Sequence, residues 1–198
     1  MTEDARSYIT DPKALRALSH PTRWTIIELL GAERTATATR CAEYSGESVA
    51  SCSYHLGMLA KYGFVEPAEG GDGREKPWRL TRRDQSWRAA DLEPDAAMAA
   101  ETLSEVFLDH EVGQIKDWVR RASRESAQWQ EAAGMSGRAL YCTPDELVAL
   151  QAGFDELVAA YRARDDDPAA RPDGARLVRL LLSGRLVRAR SDDRQETP

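Results

Sequence analysis

Cysteine is scarce in this chain. Cys41, Cys52 and Cys142 stand far apart and form no Cys-x-x-Cys pair. That excludes a disulfide framework and fits a reducing compartment, where an isolated cysteine packs as a small apolar side chain. Long apolar runs are missing too. The apolar stretches cover a helical turn or two, against the ~20 residues needed to span a bilayer. The opening Met1–Pro12 stretch is polar and acidic and lacks the basic and apolar parts of a secretory leader. A cytoplasmic protein without membrane contact is expected. Catalytic signatures are absent as well: no Gly-x-Ser-x-Gly, no His-Glu-x-x-His and no phosphate loop. Gly70-Gly71-Asp72-Gly73 does not lead from a parallel strand into a helix, so it is no nucleotide loop. Neither enzymatic activity nor a cofactor is expected.

A general excess of positive charge is also lacking. The net charge is −6, which excludes a chain that coats nucleic acid indiscriminately. The charge is unevenly spread, however. Asp11–Ala90 holds 12 Lys/Arg against 10 Asp/Glu, and the remainder holds 15 against 23. The first stretch can approach phosphate while the second repels it.

What is present is a series of short helices followed by a hairpin. Asp11-Pro12 reads as an N-cap with proline at the first helical position. Leu15 and Leu18 share a face, and Ser19-His20-Pro21 ends that helix and opens another. Ile26, Ile27 and Leu30 line the second helix, with Gly31 as its end. A third runs from about Thr37 to Tyr44, and Ser45-Gly46 makes a tight turn. Ser48 then caps a fourth helix reaching Tyr62, with Cys52, Leu56 and Leu59 on one side. After Gly63 the period changes. Phe64-Val65-Glu66 and Trp78-Arg79-Leu80-Thr81 flank a glycine-rich turn, the pattern of a β-hairpin. A hairpin directly after such a helix is a wing, and three helices with glycine before the last compose a helix-turn-helix.

Arg82–Glu93 reads as a connector. From Pro94 to about Ala133 apolar residues recur at helical spacing, predicting one helix of ~40 residues, or ~60 Å. Its stripe of Leu103, Phe107, Ile115 and Trp118 is too long for the small first domain to cover, so a homodimer through this helix is expected. Gly134–Gly137 breaks the helix. Arg138–Cys142 and Arg176–Leu182 read as paired strands. They flank a helix with a Thr143–Glu146 capping box and a buried face of Leu147, Leu150, Phe154, Leu157, Val158 and Tyr161. Asp165–Gly174 reads as an acidic loop, and the tail from Arg190 as disordered. The expected fold is mainly α with small β: a winged helix-turn-helix over 11–90, a long dimerisation helix over 94–133 and a small α+β unit over 138–189.

Three stretches resemble the ArsR-like winged helix-turn-helix family in sequence and spacing: Leu18-Ser19-His20-Pro21-Thr22-Arg23, Ser53-Tyr54-His55-Leu56 and Lys61-Tyr62-Gly63-Phe64-Val65. The resemblance covers Asp11 to Thr81. It implies a transcription regulator that binds double-stranded DNA, most simply a dimeric repressor. The residue types agree. A helix entering the major groove needs small polar residues at its start, and Ser48, Ser51, Ser53 and Tyr54 meet that need. His55 either reaches the groove or packs under the helix. Arg23 can reach a phosphate or an acidic core partner. Arg74 and Lys76 at the wing can touch phosphate.

Many members of that family sense metals, and here the chain departs from them. Cys41 stands alone, and Asp109-His110-Glu111 places one histidine between adjacent carboxylates. No metal site is expected. Two alternatives remain: a winged-helix module that binds protein rather than DNA, or a DNA-binding regulator with a small-molecule effector pocket. Trp118, Trp129, Phe154 and Tyr161 can line such a pocket or simply form the core of the C-terminal unit.

Overall fold

The computed structural model describes residues 8–69 and 75–187 and divides into two compact units, residues 1–134 and 135–198. Described residues are mainly helical, with one two-stranded antiparallel sheet.

In the first unit the helix starts follow local capping chemistry. Asp11 accepts the Lys13 N–H at 3.0 Å, and Pro12 opens α1 (Pro12–Leu18). His20 caps α2 (Pro21–Glu33), Thr37 caps α3 (Ala38–Ser45) and Ser48 caps α4 (Val49–Lys61). Each supplies an acceptor for a backbone N–H that the first turn leaves over. Gly46 takes φ 77° between α3 and α4, a left-handed conformation that favours glycine. Gly31 does not end α2 as expected. The helix continues to Glu33, because glycine costs only about 1 kcal/mol in a helix interior, and Leu29 and Leu30 beside it are buried.

The chain then forms β1 (Val65–Pro67) and β2 (Trp78–Leu80), antiparallel with Val65 opposite Leu80. Ala36, ahead of α3, adds a bridge to β2. Its N–H donates to the Trp78 carbonyl at 3.1 Å, and the Trp78 N–H donates back at 2.9 Å. A single bridging residue has no alternation, so the pattern of the sequence carries no sign of it. The core lies among α1, α2, α4, the hairpin and the helical turns that begin at Pro94, with Leu15, Leu18, Ile26, Leu29, Leu56 and Leu59 fully buried.

α5 (Pro94–Arg121) is shorter than expected. It passes into a 3-10 turn at Ala122–Arg124, and Ser126 then caps a separate α6 (Ala127–Ala132). The expected dimer stripe is divided as well. Leu103 is fully buried in this chain's own core. Phe107 packs edge-on against Trp24 and Trp87, with ring centroids 4.8 and 5.2 Å apart. Leu103, expected at a dimer contact, is therefore corrected to a place in the intramolecular core, and the half-buried Phe107 packs against that core. Ile115 and Trp118 are half-buried, and Leu108, Val112 and Val119 are exposed.

The second unit keeps its capping box. Glu146 accepts the Thr143 N–H at 2.7 Å, and Thr143 accepts the Glu146 N–H at 3.3 Å, opening α7 (Pro144–Ala159). The loop expected over 165–174 is partly helical, with α8 (Ala163–Asp166) and a 3-10 turn at Pro168–Ala170. Neither expected strand forms. Residues 138–142 and 176–182 are irregular, so the α+β extension is corrected to a helical one among the described residues. A short apolar run fits strand, helix and irregular chain alike, and only pairing separates them. The expected buried face of α7 is corrected too. Leu150, Leu157 and Tyr161 are exposed, and Leu147, Phe154 and Val158 are half-buried. The tail from Arg190 lies outside the described residues. No helix among the described residues is long and apolar enough to cross a membrane.

Two outcomes follow from this distribution of burial. Leu56→Ala removes a fully buried side chain and is expected to cost about 2–5 kcal/mol as a core truncation, read as a lower urea midpoint at unchanged slope. All fully buried side chains among the described residues lie before Gly134. A chain ending at Gly134 is therefore expected to unfold cooperatively with the full-length midpoint, and loss of the transition would show that the second unit carries stability.

Candidate nucleic-acid interface

The start of α4 presents small and polar groups on one side and anchors itself with the other. Ser48 accepts the Ser51 N–H at 3.1 Å, which fixes the first turn. Ser48 and Ser53 are exposed, Ser51 is half-buried, and Tyr54 is 61% exposed. Cys52, Leu56 and Leu59 face inward and are fully buried. The hydrogen-bonding hydroxyls of Ser53 and Tyr54 thus stand on a helix whose backbone is held from behind.

His55 does not join them. It is buried, and its Nδ1 accepts from Arg23 Nε at 3.3 Å. Of the two places expected for it, the groove is corrected, and the one beneath the helix is where it lies. Arg23 is itself buried, and its hydrogen bonds among the described residues go to a carbonyl and an imidazole. Its Nη1 donates to the Ala17 carbonyl at 2.5 Å. One guanidinium therefore ties the end of α1 and the middle of α4 to α2. The His20 ring lies 4.4 Å from that of His55, and Tyr54 stands edge-on to His55 at 5.4 Å.

Burial, and after it the Arg23 charge, holds the His20 imidazole below its usual pKa. Burial, the His20 ring and Arg23 do the same to His55. Glu47 opposes both shifts weakly. Burial also lowers Arg23, with Tyr54 and Tyr62 countering, but a guanidinium stays charged throughout the ordinary range.

The basic groups lie to one side. Lys76 is exposed just before β2. Arg74, the other basic residue expected at a wing, lies outside the described residues. Glu75 accepts from the Thr39 hydroxyl at 2.8 Å, which links this end of the hairpin to α3. Arg79 pairs with Glu66 across the strands, and Arg40 is bound by Glu33 and Glu43, so these cations are already met by carboxylates. No Lys or Arg occurs from Ser48 to Ala60, and exposed Glu47 precedes the helix.

Other candidate groups have structural partners. His110 Nε2 lies 3.1 Å from Glu28 Oε2, joining α5 to α2. No cluster of three or more His, Cys, Asp or Glu able to hold a metal occurs among the described residues. Cys41 and Cys52 are buried and free, and burial pushes the Cys41 thiol up to about 11. Cys142 is free and exposed. Of the aromatics weighed as an effector pocket, Trp118 and Trp129 belong to the first unit and Phe154 and Tyr161 to the second.

His20 and Arg23 lie one helical turn apart in a His-Pro-x-Arg sequence, so their proximity was legible. Their link to His55, 32 residues beyond Arg23, was not. Arg23→Leu is expected to leave the Ala17 carbonyl and His55 Nδ1 without a donor, a loss of about 1–3 kcal/mol in thermal unfolding. Arg23→Lys keeps the charge but not the fork, and its stability should fall between the two. A wild-type melting curve for Arg23→Leu would show that this tie does not hold α4.

No protein-family model matches the chain, and no curated protein matches it in sequence.

Proposed function

We propose that the chain is a sequence-specific, duplex-DNA-binding transcription regulator of the ArsR-like winged helix-turn-helix type, acting as a dimeric repressor. The observation that carries this reading is the face of α4. Ser48, Ser53 and Tyr54 are exposed on a helix anchored by Cys52, Leu56 and Leu59, and a two-stranded hairpin with Lys76 follows at once. A recognition helix needs small polar groups that let its backbone approach base edges, and a wing needs a cation near phosphate. Hydroxyls read bases by donating or accepting, and Tyr54 adds an apolar ring able to meet a thymine methyl.

One recognition helix reads only a few base pairs, so a two-fold pair reading half-sites about one DNA turn apart is the natural assembly. With Leu103 and Phe107 committed to the chain's own core, the self-contact falls to the outer half of α5. Leu108, Val112, Ile115 and Val119 share one side of that helix at spacings of four, three and four.

A second reading, a winged-helix module that binds protein, is favoured by one observation: α4 lacks a cation up to Ala60 and begins beside Glu47. Titrating duplex DNA by fluorescence anisotropy at several salt concentrations separates the two. DNA binding should weaken as salt rises, because Lys and Arg release counterions from phosphates. Lys76→Ala is expected to lower the salt slope by about one unit while weakening all sequences alike. Tyr54→Ala should instead relax discrimination by roughly 1–3 kcal/mol at a base pair it contacts. Absence of duplex binding at low salt sinks the DNA reading. For the dimer, Val112→Asp with Val119→Asp should halve the mass measured by light scattering while leaving the helical signal intact. A wild-type monomer at micromolar concentration excludes it.

A further inference from the structure

We infer that His20, Arg23 and His55 form a proton-sensitive seat that positions α4, so that acidification loosens α4 and moves Tyr54 out of its DNA-reading pose. The consequence for DNA rests on the reading proposed above; the seat itself rests on geometry.

Both imidazoles work as acceptors through Nδ1. His20 accepts the Thr22 N–H at 3.2 Å, and His55 accepts from Arg23 Nε at 3.3 Å. A neutral imidazole that accepts at Nδ1 carries its proton on Nε2. A second proton has to settle on Nδ1, which deletes the acceptor and sets donor against donor. The two rings lie 4.4 Å apart, so a proton on one places a cation beside the other and beside Arg23. His20 also stands at the start of α2, where the helix's partial positive charge disfavours a further cation.

The facing groups are Arg23 from α2, Glu47 from the turn before α4, Tyr54 on α4 and Tyr62 at its end. Of these, the Glu47 carboxylate alone favours protonation of the histidines, and it is exposed. Burial and Arg23 outweigh it, so both rings are neutral near pH 7. The unfolded chain then takes up protons at about the ordinary imidazole value of 6.5, before the folded one does. The stabilisation is therefore complete above that value and is lost as pH falls toward the lower folded values.

The loosening is local. His55 sits in the middle of α4, between exposed Tyr54 and buried Leu56. The packing of α5 onto Trp24 and Trp87 uses neither histidine bond.

Asparagine offers an oxygen near the place of Nδ1, does not protonate in this range, and is a favoured N-cap. The His20→Asn/His55→Asn double variant therefore separates titration from hydrogen bonding. Hydrogen exchange of α4 amides, corrected for the intrinsic pH effect and compared with α5, reports the seat without DNA. Anisotropy with duplex DNA reports its consequence. Between pH of about 7.5 and about 5, wild-type α4 protection and DNA affinity should both fall several-fold, approaching about tenfold per pH unit for each linked proton. The double variant should hold both constant. Wild-type protection that ignores pH, or a double variant that tracks the wild type, overturns the inference. If the double variant does not fold, nitrogen-15 titration of the wild-type rings decides. A ring that protonates at or above the ordinary value overturns the seat, and two depressed titrations accompanied by loss of α4 protection support it. A chain that binds no duplex at any pH loses the DNA reading, while the exchange pattern still decides the seat.

Discussion

The buried guanidinium of Arg23 is the constraint around which the first unit is arranged. A charge out of water must be hydrogen-bonded, since burying it bare costs far more than any single contact returns. Arg23 meets that demand with two acceptors on two other segments, the Ala17 carbonyl at the end of α1 and His55 Nδ1 in the middle of α4. Three helices are thereby fixed to one planar group. The fork also dictates the chemical state of its neighbours. An imidazole that serves as acceptor to a cation has to remain neutral, and the burial that makes Arg23 demanding lowers the affinity of both histidines for protons. Position, burial and protonation state are consequences of the same interaction.

A second tie is apolar and decides what α5 can do. Trp24 of α2, Trp87 of the connector and Phe107 of α5 meet as three rings, with centroids between 4.8 and 5.9 Å. The Trp87 indole N–H donates to the Ser104 hydroxyl at 2.9 Å, so the connector is pinned to α5 at both its apolar and its polar end. The first half of α5 is therefore part of the body that carries α4. The turns beyond Phe107 leave that body's aromatic cluster, and Leu108, Val112 and Val119 are exposed there. If those turns pair two copies, the spacing of the two α4 helices is set through α5 and the aromatic cluster that holds it.

The parts of the fold legible in the sequence are those decided by a few neighbouring residues. Asp11-Pro12, Ser48 and the Thr143–Glu146 box announce helix starts because a cap is a contact across two or three residues. The face of α4 was legible because Cys52, Leu56 and Leu59 keep one period. What periodicity reports is that a face is apolar, not what covers it. Leu103 and Phe107 therefore read as a dimer stripe, although Leu103 is fully buried in the chain's own core and Phe107 packs against Trp24 and Trp87. The break near Ser126 was hidden for a related reason: apolar residues on either side keep helical intervals while the backbone at Glu125 and Ser126 is extended. The strands expected at 138–142 and 176–182 failed because pairing is a property of two segments, and each run alone is only apolar. At the candidate interface, exposed Ser53 and Tyr54 followed from helix geometry. The burial of His55 depended on Arg23, which no local pattern links to it.

The charge layout bears on how such a surface would discriminate. Net charge matters little at a contact, because exposed charges beyond about 8 Å are largely screened at physiological salt. Among the described residues, what a duplex would meet is local: hydroxyls and one phenol on α4, Lys76 just before β2, and Glu47 beside the helix start. Arg40 and Arg79 lie close by but are already paired with carboxylates. Non-specific affinity scales with the number of phosphates neutralised, so the pairing of Arg40 and Arg79 with carboxylates weakens the holding of arbitrary DNA. Hydroxyl contacts to base edges add binding only where donors and acceptors match. On the proposed reading, the ratio of specific to non-specific affinity is raised by lowering its denominator. Glu47 contributes to that by repelling phosphate while slightly favouring protonation of the imidazoles below. A surface built this way depends on the exact seating of α4 more than one that binds through many arginines. That is why a single buried guanidinium and two neutral histidines can govern it.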